Sequence, residues 1–136
     1  MPRLAQREIV LAGIALLGAV IALALVQGRS DATETLPQPV GSWYPAVAAV
    51  RVPGGLGEPT ACGQTLRADA EGVSNPVLPC GAKIYLDYAG KRALTQVIDR
   101  GPKAPGREFE LTRPLADKLG FDGVRRITWA YAAPPQ

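Results

Sequence analysis

The chain has 136 residues, of which 47% are hydrophobic, 6% aromatic and 20% charged, enough for one small folded domain. Fifteen basic against 12 acidic side chains give a formal charge of +3, too slight an excess for a nucleic-acid-binding face. Histidine is absent, which removes the commonest general base and every Ser-His or Cys-His pair, and two cysteines without a CxxC spacing cannot build a structural zinc site.

Ile9 to Val26 reads IVLAGIALLGAVIALALV, without a charged or strongly polar side chain. As a helix at about 1.5 Å per residue it spans roughly 27 Å, close to the hydrocarbon thickness of a bilayer. Arg3 and Arg7 precede the run and Arg29 follows it, so the positive-inside rule puts residues 1–8 in the cytoplasm and the rest outside. Two fates are open. The length of the run favours a single-pass signal anchor over 9–26. Ala22-Leu23-Ala24 offers a small-x-small cleavage site, which would release a secreted domain, but it lies inside the run rather than after it.

Residues 27–40 are polar, contain Pro37 and Pro39, and lack apolar periodicity, which predicts a flexible tether reaching about 20 Å on average. From residue 41 onward short apolar stretches are broken by Gly and Pro, the pattern of strands and turns. Gly54-Gly55-Leu56-Gly57 is a loop without the Lys-Ser/Thr of a phosphate cradle. Lys83–Asp87 alternates, Tyr88-Ala89-Gly90-Lys91 turns and Ala93–Asp99 returns, a predicted hairpin. Phe109–Leu111 is a further short strand. Thr112 as N-cap, Pro114 in the first turn and Gly120 past the end bound one short helix. Val124–Tyr131 closes the domain as a strand; Trp129 and Tyr131 on one face form either a sugar platform or core and rim packing. Cys62 and Cys80, an even pair in an exported domain, predict a disulfide; a reactive thiol pair is the alternative.

The order of these segments resembles the double-psi β-barrel of the rare lipoprotein A-like family, related to expansins and barwin. The residues that carry the resemblance are Gly41-Ser42-Trp43-Tyr44, Thr60-Ala61-Cys62-Gly63-Gln64-Thr65-Leu66 and Leu78-Pro79-Cys80-Gly81-Ala82-Lys83. They continue with Val97-Ile98-Asp99-Arg100-Gly101-Pro102, Pro105-Gly106-Arg107 and Phe109-Glu110-Leu111-Thr112. The resemblance implies a mainly β fold over 41–133, a six-stranded barrel with one short helix, acting on peptidoglycan. Members of that family are lytic transglycosylases or glycan binders that cut nothing.

Carried over position by position, the resemblance implies Asp99 and Glu110 as the catalytic carboxyls, with Glu110 where the family usually has aspartate. Ser42 falls where a small hydroxyl residue lines the groove, and Tyr44 belongs to the same stretch. Asn75 stands where catalytic members carry histidine; an amide cannot exchange a proton, and losing a proton-transfer partner costs about 10²–10⁴-fold in rate. Arg100 and Arg107 suit the stem-peptide carboxylates of peptidoglycan. Each residue also has a plainer reading. Asp99 caps its turn, Glu110 is a first-turn carboxylate of the helix, and the arginines are a solvated face. Three functions follow: a lytic transglycosylase (a lyase), a non-catalytic glycan-binding or expansin-like wall-remodelling module, and an adaptor for an envelope protein. No cofactor and no metal are expected. The expected partners are glycan strands and, through the N-terminal helix, the membrane; nucleic acid is not, and a monomer is.

Overall fold

A computed structural model of the chain describes residues 36–133. The expected cytoplasmic segment 1–8, the apolar run 9–26 and residues 27–35 of the expected tether lie outside the described residues. Among the described residues no helix is long and apolar enough to cross a membrane.

The strands are β1 (Gln38–Val50), β2 (Val73–Ser74), β3 (Lys83–Tyr88), β4 (Lys91–Asp99), β5 (Phe109–Leu111) and β6 (Val124–Ala133), with one helix, α1 (Arg113–Leu119), between β5 and β6. They close into a six-stranded barrel in the order β1-β5-β2-β4-β3-β6. The pairs β1–β5 and β2–β4 are parallel and the other four antiparallel.

β1 opens at Gln38, three residues before the expected start of the domain, because Gln38, Pro39 and Val40 pair with Ala133, Ala132 and Tyr131 of β6. Pro39 and Pro45 are accommodated in β1 because β5 pairs only with Ala48–Val50. Along the rest of β1 only β6 is a neighbour, and a residue without an N–H is tolerated at such an edge. The 83–99 hairpin forms as its alternation predicts. Tyr88 pairs with Lys91, and Ala89 and Gly90 take φ of 50° and 80°, the two positive values of a two-residue turn matched to strand twist.

Alternate residues fill the interior: Ala46 and Ala48 from β1, Val73, Ile84, Leu86 and Val97, Phe109 and Leu111, and Ile127. Leu115, Ala116 and Leu119 of α1, followed by Phe121, join the same core. Thr112 occupies the helix N-cap position but makes no side-chain cap. Its Oγ1 instead accepts from the Gly72 N–H, while its own N–H donates to the Gly72 carbonyl. This extends the β2–β5 ladder by one step and satisfies a buried donor that the two-residue β2 leaves over. At the other end Gly120 turns left-handed at φ 64°, as its position predicts.

Cys62 and Cys80 are bonded, tying loop 51–72 to loop 75–82. Closing 18 residues stabilises by about 3 kcal/mol through the entropy of the unfolded chain. Gly72 is a second local constraint, since a Cβ there would lie 2.6–2.8 Å from the side-chain carbons of Ile98.

Two outcomes follow from this packing. Gly72→Ala is expected to lower unfolding free energy by about 1–3 kcal/mol, because β-branched Ile98 has little rotamer freedom with which to retreat; Ile98→Val in the same chain recovers part of it in urea titration. The native protein is expected to show no titratable thiol, and the Cys62→Ala/Cys80→Ala pair to lose about 3 kcal/mol.

Candidate functional site

The site is organised around β2. Ser74 pairs in register with Asp99 of β4 on one side and Glu110 of β5 on the other. Two interstrand spacings put the Cα atoms of Asp99 and Glu110 about 10 Å apart with Ser74 between them. Val73, Phe109 and Leu111 point into the core, so Ser74 and Glu110 face outward. Loop 51–72 then covers part of that face, and Ser74 is fully buried.

Asp99 is buried, with its side chain 12% exposed, and both carboxylate oxygens are occupied. Oδ1 accepts from the backbone N–H groups of Ala61 and Arg100, each at 2.8 Å. Oδ2 accepts from the Arg51 guanidinium at 2.6 Å, and the same nitrogen donates to Ser74 Oγ at 3.1 Å. Burial pushes the Asp99 carboxyl up, but these N–H donors and the Arg51 charge together outweigh it and hold the carboxyl below the usual aspartate range. Asp99 is therefore a fixed carboxylate at neutral pH. A general acid must keep its proton until the leaving group needs it, which requires the opposite shift.

Arg100, adjacent in sequence, sends its guanidinium elsewhere: it donates to the carbonyls of Asn75 and Leu78 at 3.1 and 2.6 Å. The Asn75 side chain is equally committed. Its Nδ2 donates to the Glu108 carbonyl, and its Oδ1 accepts from the N–H groups of Val77 and Leu78. Asn75 and Arg100 thus shape loop 75–80 from within. The turn-capping reading places the Asp99 side chain on N–H groups from Gly101 onward; among the described residues Oδ1 instead accepts from Arg100 and Ala61. Glu110 belongs to β5, and the first turn of α1 contains no acidic residue. It is half-buried and, among the described residues, its carboxylate has no ion-pair partner. Arg107 is half-buried in the loop before β5, three residues from Glu110.

Of the residues read from sequence, the barrel brings Asp99, Glu110, Asn75 and Arg100 around β2. Ser42 and Tyr44 stand apart. The β1 residue in register with Glu110 is Ala49, and Ser42 precedes it by seven positions, in the irregular stretch between Val40 and Tyr44. No β1 hydroxyl therefore flanks Glu110. Tyr44 instead joins an aromatic cluster, 5.2 Å from Trp129, which lies 5.1 Å from Tyr131 and 5.7 Å from Phe109. Trp129 packs on the core, while Tyr44 and Tyr131 remain more than 40% exposed. Arg51 is the residue that sequence reasoning missed. It lies 48 positions from Asp99, and only barrel closure reveals the pair. Among the described residues no cluster of side chains suits a metal ion.

No family model matches the chain. The endolytic peptidoglycan transglycosylase RlpA of Yersinia pestis is 30% identical to it over 73 residues, 52% of this chain and 20% of that protein. The chain therefore spans about a fifth of the length of the curated relative it matches. Among solved structures, the Streptomyces papain inhibitor superposes with a TM-score of 0.56 at 22% identity, over 70% of this chain and 98% of its own. The apo expansin of Clavibacter michiganensis superposes with a TM-score of 0.53 at 15% identity, over 70% of this chain and 52% of its own. The double-psi arrangement fits both neighbours, and the chain resembles the rare lipoprotein A-like, expansin-related proteins in sequence motifs and in fold.

Since the folded-state pKa of Asp99 is depressed, the stability it adds is complete above the ordinary aspartate range and is lost as pH falls through its lower native value. Urea midpoints are expected to fall more steeply between about pH 5 and pH 2 for the wild type than for Asp99→Asn. Arg51→Met, which leaves a buried carboxylate short of a donor, is expected to cost about 1–3 kcal/mol at pH 7 and to raise the Asp99 titration seen by carboxyl NMR.

Proposed function

We propose that this chain is an exported, membrane-anchored cell-wall module whose barrel binds the glycan strands of peptidoglycan without cutting them. The wall assignment is supported by the likeness to RlpA and to an expansin. The anchor is supported by the uncharged run Ile9–Val26 with its N-terminal arginines. The observation that carries the non-cutting half is the Arg51–Asp99 ion pair. A carboxylate kept ionised by three N–H donors is an acceptor and an electrostatic anchor, not a proton donor. The amide of Asn75 cannot take over proton transfer, since it has no exchangeable acid proton and its polar atoms are bonded to loop 75–80 and Glu108. Glu110 is left as the half-exposed carboxylate that receives sugar hydroxyls.

Lytic cleavage is the second reading, favoured by the 30% identity to an endolytic transglycosylase. It requires Glu110 alone to protonate the glycosidic oxygen and then to accept the proton of the substrate's own muramyl hydroxyl.

The full chain incubated with purified sacculi is expected to sediment with them and to release no anhydro-ended muropeptides. Glu110→Gln is expected to weaken sedimentation about tenfold, the loss of one charge-assisted hydrogen bond. Anhydro products from the wild type that vanish in Glu110→Gln select the lytic reading instead. Absence of both sedimentation and anhydro products overturns both.

A further inference from the structure

The chain enters the barrel among exposed apolar side chains. Leu36, Val40, Tyr44 and Tyr131 are 61%, 47%, 44% and 43% exposed. Val40 pairs with Tyr131 and Tyr44 with Trp129 across β1 and β6, and directly opposed residues put their side chains on one face of a sheet. Trp129 lies 5.2 Å from Tyr44 and 5.1 Å from Tyr131, so the rings and Val40 form one patch rather than scattered single residues. Lys83 stands at its rim, since the next residue, Ile84, pairs with Tyr131. It is exposed and, among the described residues, has no ion-pair partner. The acidic row lies elsewhere: Glu110 is in register with Ala49 and faces away from Phe109, the core residue that Trp129 touches.

Ring geometry and chain length together select an occupant. Trp129 is inclined by 40° to Tyr44 and by 74° to Tyr131, so the rings offer no common plane on which successive sugars could stack. Val40 and Leu36 have no ring face at all. The apolar run ends at Val26, ten residues before Leu36, and ten chain steps span at most about 35 Å. Tyrosine and tryptophan concentrate at the headgroup level of a bilayer, where an apolar ring body and a wet polar tip are both satisfied. Lysine reaches headgroup phosphates there from an apolar stem. We propose that the patch formed by Val40, Tyr44, Trp129 and Tyr131 docks on the surface of the lipid bilayer that holds the chain, with Lys83 on its phosphates. This assignment rests on the reading of Ile9–Val26 as a membrane anchor. Docking by this patch fixes the height and tilt of the barrel and leaves the acidic row, on the other face of the sheet, open to the wall.

The test uses the chain's own fluorescence, since Trp129 is in the patch, Trp43 adjoins Tyr44, and the chain has no other tryptophan. The full chain is reconstituted in vesicles of phosphatidylethanolamine and phosphatidylglycerol, with and without lipids brominated near the glycerol end of the acyl chain. Tryptophan emission is expected to be about twofold lower in the brominated vesicles, as for side chains held at the headgroup boundary. The double variant Val40→Ser/Tyr131→Ser, at two exposed positions, is expected to lose this quenching while it keeps the wild-type thermal melt and stays in the vesicles through an alkaline carbonate wash. Equal wild-type emission in the two vesicle types overturns the docking, and retention through the wash then leaves the anchor reading standing. Quenching that persists in the double variant also overturns the patch. Release of the wild type by the wash overturns the anchor reading and the docking with it. Unquenched emission that shifts on adding chitotetraose, or an unquenched chain that cross-links to a second copy through the patch, overturns the lipid assignment and gives the patch to sugar or to self-association.

Discussion

A nearly buried carboxylate must be surrounded by donors, and at Asp99 that requirement organises the functional face. Taking an ionised group out of water costs several kcal/mol unless hydrogen bonds replace its hydration. The donors come from three places in the chain: Arg51 at the exit of β1, Ala61 in the disulfide-tied loop, and Arg100 at the end of β4. Each depends on a different part of the fold. Arg51 is fixed because its own N–H donates to the Leu111 carbonyl of β5. Ala61 is fixed because its neighbour Cys62 is bonded to Cys80. Barrel closure and disulfide formation therefore meet at one side chain, and stability and site geometry cannot be varied independently there.

That coupling bears directly on chemistry. In a site built for proton transfer, two titrating groups sit in environments that drive their pKa values apart, one of them upward. Here the strongest donors converge on Asp99 and drive it down, while Ser74 stands between it and Glu110. With no histidine anywhere in the chain and the Asn75 amide bonded on both sides, the face is richer in fixed charges and dipoles than in mobile protons. Fixed charges suit recognition of hydroxyls and carboxylates along a polymer.

Local features of the fold were legible in the sequence, and long-range ones were not. The 83–99 hairpin, the Phe109–Leu111 strand and the Arg113–Leu119 helix are each specified by neighbours within a few residues: alternation, a turn with two positive φ values, a proline in the first turn and a left-handed glycine just past the end. β2 carries too few residues for any periodicity, yet it is the strand on which the site turns. Ser42 and Tyr44 were placed at the groove by motif order, but strand register decides position in a barrel, and the register puts Ala49 beside Glu110. Thr112 shows the same limit on a smaller scale. Its N-cap position was readable, whereas the bond from Gly72 that diverts its hydroxyl depends on a strand 40 residues away.

Arg51 and Arg100 differ in how they serve the carboxylate, one by its guanidinium and the other by its backbone N–H. Successive side chains at the end of a strand leave in opposite directions, so the residue after Asp99 offers it a backbone N–H but carries its guanidinium away. Arg100 reaches the carbonyls of Asn75 and Leu78 and braces the loop that carries Cys80. Oδ2 is then reached by Arg51, from the loop that leaves β1. The division assigns one arginine to loop shape and another to the charge state of the acid. Exchanging their roles would require β4 to slip by one residue, which would turn Val97 out of the core. Core packing thus fixes which arginine reaches Asp99, and through it the ionisation of the site.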